Sequence, residues 1–382
     1  MPKLIRITTV PGSLRTLLKG QLKFMSGYFE VVAISSDGEV FEEMLHEQGD
    51  IRGYKVEMTR KITFLKDLKA LFKLIRIFIK EKPDIVHTHT PKAGLLGMLA
   101  AWICRVPHRL HTIAGLPLLE ARGAKRKVLD IVERITNGCA THVYPNSFAM
   151  LEIMRMNRLA DSRKMKVLGN GSSNGIDTSY FSPEAVGRTK ADIRRELDIN
   201  DNVYTFVFVG RIVRDKGINE LVEAIKRLDE TAAEYRLIMV GRFETELSPL
   251  KPGYEEFIRT HQTVRFVGYQ RDVRPYFLAA DALVFPSYRE GFPNVVMQAG
   301  ALGLPSIVTD INGCNEIVAD GVNGLIIPSK SVDALYDTML SLMNDRENGL
   351  RMASHAREMI TSRYEQSAMW QILLDEYRRL LS

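Results

Sequence analysis

Residues 282–305 read Ala282-Leu283-Val284-Phe285-Pro286-Ser287-Tyr288-Arg289-Glu290-Gly291-Phe292-Pro293-Asn294-Val295-Val296-Met297-Gln298-Ala299-Gly300-Ala301-Leu302-Gly303-Leu304-Pro305. The run Ala282 to Phe285 is short, apolar and uninterrupted, as in a strand buried on both faces of a parallel sheet. The Gly291-Phe292-Pro293 turn ends it, and the small residues after Asn294 suit a helix packed closely on that strand. Strand, turn and helix in this order place Glu290 at the carboxyl edge of a sheet, where open α/β folds bind ligands.

The same alternation recurs along the chain. Strand-like runs at Lys3–Thr9, Val31–Ile34 and Ile85–Thr88 flank helical stretches at Ser13–Ser26 and Phe64–Lys82. A second series runs through Tyr204–Gly210, Arg236–Gly241, Val264–Gly268, Ala282–Phe285 and Pro305–Thr309. The expected fold class is therefore α/β, with two doubly wound, Rossmann-like domains in tandem. The Gly, Ser and Asn cluster from Gly169 to Asp177 marks a hinge. It separates a first domain, residues 1–175, from a second, residues 176–362. A helical stretch over residues 363–382, with Met369, Ile372, Leu373, Tyr377 and Leu380 in helical register, closes the chain.

Composition narrows the class. The chain has 382 residues, 45% hydrophobic and 26% charged, which suits two globular domains with separate cores and argues against disorder. Cys104, Cys139 and Cys314 are too few and scattered for a disulfide framework or a cysteine metal site. The start, Met1-Pro2-Lys3-Leu4-Ile5-Arg6-Ile7, reads as a strand rather than a leader, and Ala93–Cys104 is too short to span a bilayer. A cytoplasmic protein is expected, with peripheral attachment to the membrane open. Charge is uneven. Residues 1–170 hold 28 of the 52 Lys and Arg but 16 of the 46 Asp and Glu, leaving 24 against 30 for the remainder. A basic first half points to an anionic partner; lipid, pyrophosphate and nucleic acid all satisfy charge alone.

The Glu290 turn resembles the E-x7-E signature of the retaining, GT-B type glycosyltransferases, family 4 in the usual grouping, which includes bacterial capsule, O-antigen and lipopolysaccharide sugar transferases. In that family two such domains face a cleft. The resemblance implies that Glu290 touches the donor sugar's hydroxyls and that Gly291, Phe292, Pro293, Asn294 and Val295 line the nucleotide-sugar site, the backbone amides from Phe292 to Val295 being expected to stabilise the leaving diphosphate. The family's second Glu, which holds the nucleotide ribose, is Gln298 here; an amide still accepts and donates hydrogen bonds. Gly210-Arg211-Ile212-Val213-Arg214-Asp215-Lys216-Gly217 resembles the family's G-R-x(4)-K-G segment, which grips the donor diphosphate. Arg211 offers a fork to phosphate oxygens, Lys216 a point charge, and Gly210 a close backbone approach. Taken alone, the same residues also describe a solvated loop. Relatives surround the nucleotide base with segments matching Gly241-Arg242 and Val267-Gly268-Tyr269. Gly12, in Pro11-Gly12-Ser13, corresponds to a loop over the phosphates, although a plain turn explains it equally well. Asn174, Gly175 and Asp177 match the family's hinge segment, and the closing helix is expected to return to the first domain.

Family likeness also carries a catalytic role to His111, in Arg109-Leu110-His111-Thr112-Ile113-Ala114-Gly115, as a group facing the reacting sugar. A satisfied structural histidine is the alternative. His87 with His89, and His108 with His111, imitate metal-ligand spacings, but no carboxylate accompanies them in a metalloenzyme pattern. No metal and no cofactor are expected: the nucleotide sugar is a substrate, and cations stand in for a metal's charge.

On the acceptor side, Lys66, Lys69, Lys73, Arg76 and Lys80 recur every three or four residues and so share one helical stripe. Leu68, Leu71, Phe72, Ile75, Phe78 and Ile79 are expected to bury against the sheet while the stripe faces either anionic headgroups or plain solvent. Arg122, Lys125, Arg126 and Lys127 form a second cluster, read as serving an acceptor diphosphate or as capping a helix. The resemblance implies a hexosyl- or N-acetylhexosaminyltransferase using a nucleotide sugar, UDP-linked by expectation, and a polyprenyl-diphosphate-linked acceptor at an anionic membrane surface. The alternatives are a sugar-nucleotide epimerase or hydrolase, which calls for further carboxylates in the first domain, and a noncatalytic nucleotide-sugar or nucleic-acid binding module. Aromatics do not interleave with the basic stripe as nucleic acid would require.

Overall fold

The computed structural model describes residues 1–38, 40–59, 63–231, 233–244 and 248–382. Two compact units emerge, Met1–Gly175 with Ser367–Ser382, and Ile176–Gln366.

The first unit runs β1 (Lys3–Ile7), α1 (Pro11–Leu17), α2 (Gln21–Ser26), β2 (Glu30–Ser35), α3 (Val40–Glu47), β3 (Arg52–Lys55), α4 (Phe64–Glu81), β4 (Ile85–Thr88), α5 (Pro91–Ile103), β5 (His108–Ile113), α6 (Gly123–Cys139), β6 (His142–Pro145) and α7 (Phe148–Met156). Its strands pair in parallel in the order β3-β2-β1-β4-β5-β6. β1 thus lies between β2 and β4, and chain direction across the sheet reverses there. The helix expected over Ser13–Ser26 is split into α1 and α2, because Gly20 at φ 77° leaves helical geometry.

The second unit contains α8 (Pro183–Val186), α9 (Lys190–Glu196), β7 (Tyr204–Val209), α10 (Ile218–Leu228), β8 (Tyr235–Val240), α11 (Tyr254–Thr260), β9 (Val264–Gly268), α12 (Arg274–Ala279), β10 (Ala282–Phe285), α13 (Asn294–Ala301), β11 (Ser306–Thr309), α14 (Cys314–Ile317), β12 (Gly324–Ile327), α15 (Val332–Asn344) and α16 (Arg346–Tyr364). Its parallel sheet has the order β12-β11-β10-β7-β8-β9. The reversal falls between β7 and β10, the strands that precede the Gly210–Gly217 loop and the Glu290 turn. Both strands are almost wholly buried, which accounts for their unbroken apolar sequence.

The closing helical stretch does not begin at Arg363. α16 ends at Tyr364, and after Glu365 the chain starts α17 (Gln366–Leu381). Leu373, Leu374 and Tyr377 of α17 bury among Leu4, Leu14, Leu18 and Leu110 of the first unit. Burial of each such side chain stabilises by roughly 1.5–3 kcal/mol. A polar clamp adds direction. Buried Arg6 donates from Nη1 to Tyr377 Oη at 3.1 Å, and His87 Nδ1 lies 2.6 Å from the same oxygen.

Candidate active site

At the carboxyl edge of the second sheet, β7 delivers Gly210 to Gly217 and β10 delivers Pro286 to Pro293, side by side at the point where strand order reverses. This is the position at which doubly wound sheets open a ligand crevice. Close backbone contact fixes the two loops together. A Cβ on Gly217, whose φ is 72°, would lie 2.0 Å from the carbonyl oxygen of Pro286. The Tyr288 amide also donates to Asp215 O at 2.9 Å.

The result is a salt bridge between Lys216 Nζ and Glu290 Oε1, each side chain 16% exposed. Ser287 Oγ donates to the same carboxylate oxygen at 2.8 Å, and the Lys216 ammonium stands 5.1 Å from the centre of the Phe285 ring. Asn312 donates from Nδ2 to the carbonyls of Glu290 and Gly291, holding the turn's backbone from β11's side. Glu290 and Lys216 therefore form one preorganised ion pair. Arg211 is more exposed and pairs with Glu244, Nη1 to Oε2 at 3.1 Å.

Helix α13 begins after Pro293. Helix geometry leaves the amides of Asn294 and Val295 without partners inside the helix, directed outward with the positive end of its dipole. Gln298 sits on the same helix, half-buried. Behind the turn, Phe292 is nearly buried and meets the Tyr364 ring at 5.3 Å between centroids.

The rim continues along β7, β8 and β9 through Gly210, Gly241 and Gly268. The Gly210 amide donates to Val240 O at 3.0 Å, and the Gly241 amide to Gly268 O at 2.9 Å. A Cβ on Gly241 would lie 1.8 Å from Gly210 O, so no larger residue fits there. Beside this rim the Arg242 guanidinium stacks 4.1 Å from the centre of the exposed Tyr269 ring. The groups the sequence reading missed are Ser287, Asn312, Phe285 and Glu244. Ser287 was visible as a hydroxyl three positions before Glu290, whereas Asn312 and Glu244 arrive from other strands and carry no local signal.

His111 requires a correction. It lies within β5 rather than at a surface, only 3% exposed, with Nδ1 2.8 Å from Thr88 Oγ1. Its ring packs on Gly94 of α5, so closely that a Cβ there would approach it to 2.4 Å. Burial pushes its pKa down to about 4, so the ring is neutral at pH 7. The structure thus makes His111 a packed histidine that seats α5. His87 and His89 are buried as well; desolvation, with repulsion from Arg6 and neighbouring histidines, holds both well below the usual imidazole range. Among the described residues, no group of three or more His, Cys, Asp or Glu is placed to hold a metal ion. Gly12 is exposed at the start of α1, with open space where a side chain would be.

The basic cluster after β5 divides. Arg126 is consumed internally, donating to Asp130, to Asn157 Oδ1 at 2.8 Å and to Leu118 O at 3.0 Å. Arg122, Lys125 and Lys127 are exposed at the start of α6. Cations at a helix N-terminus oppose its dipole, so the capping alternative does not hold. On α4, Lys66, Lys69, Lys73, Arg76 and Lys80 are all exposed. The apolar side of the expectation fails in part. Phe78 is buried and Leu71 and Ile75 half-buried, but Leu68, Phe72 and Ile79 face outward.

Paired parallel sheets, with an acid-bearing turn and a cationic loop at the strand reversal of the second, define the GT-B class of glycosyltransferase fold. Comparison with known proteins agrees. The description "Glycosyl transferase 4-like domain" matches residues 26–171, and "Glycosyl transferases group 1" matches residues 189–359. The chain is 33% identical over 380 residues to the capsular polysaccharide biosynthesis glycosyltransferase CapM of Staphylococcus aureus, across 99% of this chain and 97% of that protein. It is 29% identical over 312 residues to the UDP-Gal:alpha-D-GlcNAc-diphosphoundecaprenol alpha-1,3-galactosyltransferase of Escherichia coli, across 80% of this chain and 78% of that one. In fold it matches HepE of Anabaena, solved in complex with UDP, with a TM-score of 0.81 at 19% identity, over 99% of this chain and 100% of that one. The chain belongs to the GT-B glycosyltransferases of family 4.

Proposed function

We propose that this chain is a retaining glycosyltransferase that moves a hexosyl or N-acetylhexosaminyl group from UDP to a polyprenyl-diphosphate-linked glycan during surface polysaccharide synthesis. The observation that carries the reading is the Lys216–Glu290 pair at the β7/β10 reversal, beside the Gly210–Gly241–Gly268 rim. In this reading Glu290 orients the donor sugar's hydroxyls and Gln298 holds the ribose. Arg242 and Tyr269 border the base. Lys216, Arg211 and the Asn294 and Val295 amides face the diphosphate.

As the bond from the anomeric carbon to the β-phosphate oxygen breaks, its electron pair stays with UDP. Fixed cations and amide dipoles stabilise that growing charge, without a metal. The acceptor hydroxyl forms the new bond on the same face of the sugar, and its proton passes to the leaving diphosphate. The basic first unit suits a diphosphate acceptor, and with a lipid-linked acceptor the enzyme works at the cytoplasmic face of the membrane. The names of the Staphylococcus and Escherichia relatives support this substrate class.

The test is UDP release from a panel of sugar nucleotides, with and without a polyprenyl-diphosphate sugar. Acceptor-dependent release with incorporation, and a product anomer matching the donor's, is the expected result. Release without incorporation marks a hydrolase and refutes the proposal.

A further inference from the structure

We infer that α4 and α6 form a bilayer-docking face, which inserts apolar side chains into an anionic lipid surface as well as laying cations upon it. At about 100° per residue, α4 divides into three arcs. One arc, holding Ala70, Leu74, Ile77, Phe78 and Glu81, packs on the unit. A second carries Phe64, Leu65, Leu68, Phe72 and Ile79, which are 79%, 74%, 41%, 58% and 63% exposed. The third carries Lys66, Lys69, Lys73, Arg76 and Lys80, all exposed.

An exposed apolar arc bordered by a cationic one is the signature of a helix lying in a membrane interface. A merely solvated basic face would not also present large apolar side chains. The surface continues beyond α4. α5 packs against both α4 and α6, and α6 turns Val128, Ile131 and Ile135 outward, opposite its buried Glu133, Thr136 and Asn137. Exposed Trp102 ends α5. Apolar surface of this extent on adjacent helices calls for a partner, and the accompanying cations select an anionic one. Helices of a parallel βαβ layer run opposite to the strands. The α4 N-terminus, with Phe64 and Leu65, therefore opens at the carboxyl edge of the sheet, where a lipid-linked substrate would be met.

The inference deepens the lipid-linked acceptor reading but is measured without any sugar substrate, so either can fail alone. Wild-type protein and two variants, Leu65→Ser/Phe72→Ser/Ile79→Ser and Lys69→Glu/Lys73→Glu/Arg76→Glu, are floated with vesicles of phosphatidylcholine with or without phosphatidylglycerol. Wild type should float with the phosphatidylglycerol vesicles, less at about 1 M salt but measurably, because apolar insertion is not screened. The serine variant should bind at least about tenfold more weakly at low salt and not at all at high salt. The glutamate variant should lose its preference for phosphatidylglycerol. Should the serine variant misfold, Phe72→Ser alone should still weaken binding several-fold. Equal flotation of all three proteins, or no flotation of wild type, overturns the inference. A concentration-dependent dimer abolished by the serine variant, with no vesicle binding, also overturns it and assigns the face to a second copy of the chain.

Discussion

Removing the Lys216 ammonium should cost both stability and rate, and the two losses should respond oppositely to a second substitution. Lys216 and Glu290 are each 16% exposed, and Ser287 Oγ, at 2.8 Å, is a second donor to the carboxylate. Breaking a fully buried pair by removing one partner costs about 3–5 kcal/mol. Partial exposure and the surviving Ser287 hydrogen bond reduce that to about 2 kcal/mol for Lys216→Ala. The double variant Lys216→Ala/Glu290→Ala leaves no orphaned charge and should return to within about 1 kcal/mol of wild type, so that two single losses of about 2 kcal/mol each couple by about 3 kcal/mol. Activity should not return. On the proposed function each single variant removes a group that faces the donor and should lower kcat about 10²–10³-fold, and the double variant should be no better. Urea unfolding read by circular dichroism gives the first quantity, and acceptor-dependent UDP release the second. Additive stabilities, or a Lys216→Ala enzyme within threefold of wild-type rate, would refute the ion pair as the organising element of the donor site.

The buried histidines predict a specific pH dependence. Unfolded histidine takes up a proton near pH 6.5, whereas His111 in the fold resists until about pH 4. Below pH 6.5 the unfolded chain therefore binds more protons, and stability falls as pH drops from about 6.5 to 4. His87 and His89 act in the same direction. Urea unfolding should show a loss of about 1 kcal/mol from His111 between pH 7.5 and 5.5, with His87 and His89 adding to it, and a flat profile would contradict their neutral burial. Gly241→Ala forces a Cβ to 1.8 Å from Gly210 O and should cost at least about 3 kcal/mol and UDP binding by calorimetry; a stable variant with normal affinity counts against the rim. Tyr377→Phe deprives buried Arg6 and His87 of a shared partner and should lower the unfolding free energy by about 1–3 kcal/mol, with no loss at all counting against the clamp.

Much of the fold was legible because its strands are buried on both faces. Tyr204 to Val209 and Ala282 to Phe285 are nearly pure apolar runs, and turn residues bound them. The loops at the carboxyl edge of the second sheet were legible for a related reason: Gly217 and Gly241 are dictated by backbone contacts that leave a mark in the residue type. His111 misled because a histidine near a strand end has the same letters whether it faces outward or packs on a neighbouring helix; here Gly94, on α5, decides it. α4 misled differently. Its apolar residues fill more of the helix circumference than one sheet can cover, and periodicity alone does not say which of two apolar arcs the sheet takes. Phe78 went inward, while Phe72 and Ile79 stayed out. Partners such as Asn312 and Glu244 lie 22 and 33 positions from the residues they hold, beyond any local pattern.

The most direct test of the donor site is a crystal structure of the protein with bound UDP. The diphosphate is expected at the β7/β10 reversal, within hydrogen-bonding reach of the Lys216 ammonium, the Arg211 guanidinium and the first amides of α13, with the ribose against Gln298. A diphosphate bound away from that edge, with Lys216 and Glu290 touching neither phosphate nor sugar, would contradict it.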